Sequence, residues 1–312
     1  MKKTIKNILK LIIGLSILFF LFYKIGFGNI YNNLRLFNFW ILPFIVIFSF
    51  TSIYLGLLKL RIALVPLKSR IPHLKLVKHF FLSWAMGNMV PGKIGEFSII
   101  YLLRKEGIKV GNGTAVVLLD KAITLFSISI FAVIGFFIFL DFNVALRLVG
   151  LFSIIALAGI FLLMSKTVRK FVRKYILRKY DKLFEGFFKC LVYYLKKRKN
   201  ILFLSLIIAI INRFVTALVL YFTFLALGLK VNIILVTLIN SVVTLMTMIP
   251  ISISGLGIKE YVGVYFFSRI GVPSSITGAV YVVLLLLVYI KSAMFIALFF
   301  EEFKFRKSIQ KK

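Results

Sequence analysis

Nine acidic residues stand against 41 basic ones in this 312-residue chain, and several of these charges fall inside apolar runs. Asp120, beside Lys121, lies within the run 114 to 140, Arg213 within 201 to 227, and Lys291 within 274 to 300. Glu96 and Glu260 each follow a Pro/Gly break. The first break reads Pro91-Gly92-Lys93-Ile94-Gly95-Glu96; the second begins at Pro250 and continues as Gly255-Leu256-Gly257-Ile258-Lys259-Glu260. A charge at the centre of a membrane helix costs about 3 kcal/mol on insertion scales, so partners are expected. The expected pairing is of Glu96 and Glu260 with some of Lys93, Lys121, Arg213, Lys259 and Lys291, around a polar interior. Two readings fit these charges: a route for substrate or protons, or purely structural ion pairs. The two glutamates also admit a plain helix cap, because an anion is favoured at the positive end of the helix dipole. Free N–H groups near Gly92 to Gly95 and Gly255 to Gly257 would suit a phosphate or carboxylate.

Other chemistry finds less support. Acid or base work by Glu96, Asp120 and Glu260 needs a mutual geometry that spacing alone does not supply. No His-containing constellation, Gly-rich nucleotide loop or paired-Asp sugar-nucleotide motif accompanies them, and the chain is read as a non-enzyme. His73 and His79 are the two histidines and Cys190 the one cysteine, which leaves no metal cluster, cofactor site or intrachain disulfide to expect. Cys190 reads as a small residue on an amphipathic helix.

The elements that hold these residues follow from composition. Hydrophobic residues make up 61% of the chain, too many for a water-facing globule. The runs 39 to 58, 114 to 140, 145 to 164, 201 to 227 and 274 to 300 are long enough for the roughly 20 residues that cross a bilayer core. They lack barrel-type alternation, and helices are then the only spanning form that satisfies every backbone group in lipid. Leu11 to Tyr23, behind four lysines, has the layout of a secretory signal but no small-residue cleavage site after it, and is read as a retained helix. The expectation is an all-α polytopic membrane protein with about six full spans.

A net charge of +32 would suggest nucleic acid in a soluble protein, but here its distribution marks topology. Thirteen Lys or Arg lie from Lys166 to Lys199, six from Lys59 to Lys78, five from Lys304 onward and four before Leu11. By the positive-inside rule these segments, with both termini, face the cytoplasm of a cell membrane. The stretch Val168 to Lys199 reads either as an amphipathic surface helix on anionic lipid or as a solvated loop that only fixes topology. The sequon Asn112-Gly113-Thr114 then lies at the cytoplasmic edge and is expected to stay unmodified.

The two breaks belong to an internal repeat. Counting on from Glu96 and Glu260, Tyr101 matches Tyr265, Gly107 matches Gly271 and Ala115 matches Ala279 at one offset. Charge counting orients the copies oppositely: 79 to 106 enters from the cytoplasm and 233 to 270 from outside. Two re-entrant hairpins in an inverted repeat would place half-helix ends near mid-membrane, as in transporters. The alternative is that 233 to 250 and 260 to 272 each cross fully. The expected divisions are 1–38, an anchor helix and external loop; 39–140, the first repeat; 141–164, a connecting span; 165–200, a basic amphipathic segment; 201–300, the inverted repeat; and 301–312, a basic tail.

Three elements carry a family resemblance: Pro91 to Glu96, the Leu118-Leu119-Asp120-Lys121 stretch, and Pro250 with Ser254 to Glu260. On these the chain resembles the transmembrane, flippase-like region of the lysylphosphatidylglycerol synthase superfamily over nearly its whole length. The resemblance implies movement of lipid between leaflets, as similar regions are implicated in moving aminoacylated phosphatidylglycerol or accompany transferases acting on lipid-linked sugars. Because the chain ends twelve residues after Phe300, the soluble synthase domain and its activity are not expected. The leading expectation is translocation of an anionic or polyprenyl-linked lipid, with membrane lipids as partners and no nucleic acid. The alternatives are a small-solute or ion transporter, a lipid-modifying enzyme, and a non-catalytic partner of a separately encoded transferase.

Overall fold

The computed structural model describes residues 2–67, 71–165, 184–248, 252 and 255–303. The described residues form helices and no strands. In chain order these are α1 (Lys2–Ile25), α2 (Phe27–Arg35), α3 (Leu42–Leu64), α4 (His73–Met89), α5 (Ser98–Lys105), α6 (Val110–Phe139), α7 (Phe142–Met164), α8 (Phe187–Lys197), α9 (Lys199–Ala226), α10 (Ile233–Met246), α11 (Ile258–Arg269) and α12 (Ser274–Phe299). Among the described residues five stretches, 39–67, 110–139, 142–159, 199–226 and 274–302, are long and apolar enough to cross a bilayer, and the bent pair α1–α2 makes a sixth if taken as one span. The fold is thus all-α and polytopic. Pro250, Ser254, the tail from 304 and half of the basic segment 165–200 lie outside the described residues.

Two boundaries differ from the sequence reading. The external loop expected before residue 38 contains α2, which leaves α1 at 80° after Gly26. Gly26 has φ 93°, a left-handed conformation that glycine adopts without a Cβ penalty. On α2, Ile30 is buried while Phe27 and Tyr31 are exposed, the pattern of a short helix with one face on the bundle. The second difference is at Lys59, expected in a charged loop. Helix α3 continues to Leu64, with Leu60, Ala63 and Leu64 buried.

Around the first break α4 and α5 form a hairpin about a 3-10 turn, Pro91–Phe97, and on either side of the second break α10 and α11 pack on each other. In lipid the solvent is as apolar as the side chains, so helices associate through close packing rather than water exclusion. Small residues set the approaches. A Cβ at Gly135 of α6 would come within 2.8 Å of Val242 Cγ2 on α10. Phe44 and Phe48 of α3 stack on Phe222 of α9 with centroids 5.4 and 5.3 Å away. Phe295 of α12 is buried against Phe50, Phe81 and Trp84, which ties α3 and α4 to α12. The outward faces stay apolar: Ile130, Ile134 and Ile138 on α6, Leu151 and Ile155 on α7, and Ile290 and Leu298 on α12 are all exposed. Such bands are what a lipid-facing surface requires.

Candidate functional site

Helix α3 buries Lys59 near its C-terminal end, where α6 presents the buried Asp120. The Lys59 Nζ lies 3.1 Å from Asp120 Oδ1, close enough for an ion pair though not aligned as a hydrogen bond. It donates to the Asp120 carbonyl at 3.3 Å and to the Thr124 hydroxyl. Both side chains are over nine-tenths covered, so each charge depends on the other; burial of a lone charge costs several kcal/mol. Lys121, next on α6, turns the other way and pairs with Glu96. Asp120 and Lys121 are neighbours yet reach separate partners, because consecutive helical residues point about 100° apart.

Glu96 was expected at the start of a helix. It lies instead within the 3-10 turn Pro91–Phe97, before α5 begins at Ser98. The turn is pressed against α4: Ser83 Oγ donates to the Glu96 carbonyl at 2.6 Å. A Cβ on Gly95 would overlap the Met86 carbonyl, and one on Gly87 would overlap the Glu96 side chain. Gly92 sits in the same turn, and Lys93 takes a left-handed φ of 55°, a conformation that costs a non-glycine residue about 1 kcal/mol or more.

At the second break the expected pairing of Glu260 with a cation is replaced by a local one. Its carboxylate accepts from the Gly257 N–H at 2.7 Å, closing the first turn of α11 as a cap. Among the described residues no Lys or Arg forms an ion pair with it. Gly255 and Gly257 have φ of 78° and 80°. A Cβ at Gly257 would lie 2.5 Å from the Gly14 carbonyl of α1, so glycine is required for conformation and for contact.

The remaining cations form no salt bridge with a carboxylate among the described residues, although Lys259 is attracted by Glu260 and Lys93 by Glu96. Lys259 lies 5.9 Å from the Tyr281 ring. Lys291 donates to the Ser49 hydroxyl and lies 5.2 Å from the Trp84 ring and 5.9 Å from that of Phe50. Aromatic faces attract a cation without neutralising it. Arg213 is 9% exposed, and its Nε has no hydrogen-bond partner.

All eight charged residues singled out from the sequence, Lys93, Glu96, Asp120, Lys121, Arg213, Lys259, Glu260 and Lys291, line one cavity of about 580 Å³. Lys59 lines it too and was missed. Its position at the foot of an apolar run resembles a loop lysine; the signal lay beyond it, in apolar residues that continue at helical spacing. The cavity runs between the two helix pairs, with neutral donors and acceptors from Asn212, Thr216, Asn240 and Thr244 on one wall. Among the described residues it is lined by six cations and three carboxylates, so the excess charge of that lining is positive. Among the described residues no group of three His, Cys, Asp or Glu is placed to hold a metal ion.

A second polar cluster lies away from the cavity. His79, fully buried on α4, has Nε2 3.1 Å from Glu106 and Nδ1 3.7 Å from Glu302, and Lys75 is 2.8 Å from Glu106. The glutamates sit at helix ends, and the buried histidine lies between them. Burial alone would push the Glu106 carboxyl up, but hydrogen bonds and charge from Lys75 and His79 outweigh it and hold it below the ordinary value. On α8, Cys190 is buried with Sγ 3.9 Å from the Asn112 carbonyl, and burial pushes its thiol up to about 11. It is thus a poor nucleophile at neutral pH.

Comparison with known proteins agrees with this architecture. The family model for the lysylphosphatidylglycerol synthase TM region matches residues 7–298. The UPF0104 membrane protein of Methanocaldococcus jannaschii is 27% identical over 231 residues, which cover 65% of this chain and 68% of that protein.

Proposed function

The chain belongs to the lysylphosphatidylglycerol synthase TM-region family, and from that premise we propose that it is a flippase-like transporter that moves an anionic or polyprenyl-linked lipid between leaflets. The observation that carries the reading is the cavity. Six cations against three carboxylates, set within helices whose outer faces are apolar, make a path attractive to an anionic headgroup while acyl chains remain outside. Two helix pairs broken at mid-chain glycines border it. In this reading they enter from opposite faces of a cell membrane as inverted repeats, with both termini cytoplasmic. The anionic headgroup enters beside the broken helices and is passed along the cationic wall. Glu96 and Glu260 hold the breaks in shape, Glu96 through Lys121 and Glu260 through its own backbone. The role is transport rather than catalysis.

The test is headgroup movement across proteoliposomes for a panel of phosphatidylglycerol-type and polyprenyl-phosphate lipids. Wild type is expected to move at least one lipid, and the Glu96→Gln, Glu260→Gln double variant to lose that movement. Silence of both toward every lipid, combined with flux of a small anion, would favour a solute transporter on the same cavity.

A further inference from the structure

A cationic path for an anionic headgroup does not fix the headgroup's class; the charge balance within the cavity does, provided that the path is used as proposed. Two of the three carboxylates in the cavity are occupied by ion pairs, Asp120 with Lys59 and Glu96 with Lys121. The third, Glu260, is bound to its own helix cap. The cations outside these salt bridges are Lys93, Arg213, Lys259 and Lys291; Lys93 and Lys259 are attracted by Glu96 and Glu260, which leaves Arg213 and Lys291 without an acidic neighbour among the described residues. Arg213 is the most demanding of them. A guanidinium keeps its proton under all ordinary conditions, yet this one is 9% exposed with an unpartnered Nε. A buried donor without an acceptor is a cost that a ligand oxygen would remove. Its planar fork matches two oxygens of one phosphate. Lys291, held by the Ser49 hydroxyl and by two aromatic faces, supplies a second uncompensated charge to the same cavity.

The charge count distinguishes phosphates. Six cations and three carboxylates leave three positive charges; a phosphodiester brings one negative charge, whereas a phosphomonoester brings close to two at neutral pH and three terminal oxygens. We propose that the cavity prefers a phosphomonoester to a phosphodiester, with Arg213 as the fork that holds the terminal phosphate and Lys291 as the second cation. A lipid phosphate and a soluble phosphate ester share this chemistry, and the test separates them.

Trp40 and Trp84 are the two tryptophans, and Trp84 lines the cavity 5.2 Å from the Lys291 ammonium. In full-length protein carrying Trp40→Phe, Trp84 fluorescence reports binding. Short-chain phosphatidic acid should titrate at least tenfold tighter than short-chain phosphatidylglycerol. Arg213→Gln should reduce that preference to about twofold or less, and Arg213→Lys should retain part of it. Inorganic phosphate competing as well as phosphatidic acid would support the chemistry and assign it to a soluble ester. Equal affinity for the two lipids overturns the proposal, a result that needs no variant to fold. If phosphatidylglycerol is moved between leaflets without this preference, the flippase reading stands and this inference falls. If phosphatidic acid binds preferentially but no lipid moves, the inference stands and translocation falls.

Discussion

The two breaks resemble each other in sequence and are held by different means. The first is held from outside itself. Its glutamate reaches across to Lys121 on α6, its backbone is pinned by Ser83, and Gly95 lets it lie on the Met86 carbonyl. The second is held by its own backbone and by packing. Glu260 closes the cap of its own helix, and Gly257 touches α1 at Gly14 and Ile17. An ion pair between helices can be exchanged for an incoming anion, whereas a helix cap is a local hydrogen bond that any neighbouring state keeps. Under the proposed function, the first break is then the one whose charge network an anionic headgroup would reach, and the second the fixed edge.

Substitutions can break or sharpen this contrast. The largest effect is expected at the ion pair beneath the first break. Lys59→Met alone should destabilise by about 4 kcal/mol, because Asp120 is left buried and unpaired, and adding Asp120→Leu should recover most of the loss. Thermal midpoints in detergent would show whether the double variant is the more stable. Gly257→Ala comes next, at about 3 kcal/mol, since its left-handed φ and the Gly14 carbonyl both exclude a Cβ. The same measurement on Gly228→Ala, a left-handed glycine with open space around it, should give only the conformational part, about 1 kcal/mol.

Glu96→Gln is expected to cost about 1–2 kcal/mol by removing the charge that Lys121 requires, and Glu260→Gln less than about 1 kcal/mol because the amide oxygen can still accept from the cap. Equal losses from the two would erase the distinction between the breaks. The smallest effect is in the His79 cluster. The Glu106 carboxyl is held below its ordinary value, so the unfolded chain binds its proton more readily. The resulting stability is present above the ordinary carboxylate range and is lost as pH falls through the folded value. A thermal midpoint series from about pH 6 to about pH 3 should therefore fall less steeply at its acid end in Lys75→Gln than in wild type.

Spans were legible because length and apolarity decide them in lipid. The runs 114 to 140, 201 to 227 and 274 to 300 correspond closely to α6, α9 and α12. The breaks were legible because Pro and Gly interrupt helices locally. Partners across the bundle were not. Asp120 meets a lysine 61 residues earlier, and His79 meets acids at residues 106 and 302; no spacing rule connects such positions before helix packing is known. Helix α2 escaped for a different reason. Its glycine and three asparagines imitate a loop, although Ile30 and Leu34 stand at the i, i+4 spacing of a helical face.

The central claim is that the charged cavity between the breaks is the path taken by the lipid headgroup, and filling it is the direct test. With Cys190→Ser as a cysteine-free background, Thr216→Cys places a thiol on the cavity wall and Ile290→Cys places one on an exposed outer face. Each is labelled with the same bulky maleimide, and lipid movement in proteoliposomes is measured. The account predicts that the label at 216 stops movement and the label at 290 leaves it intact. Undiminished movement with a fully labelled residue 216 would contradict it.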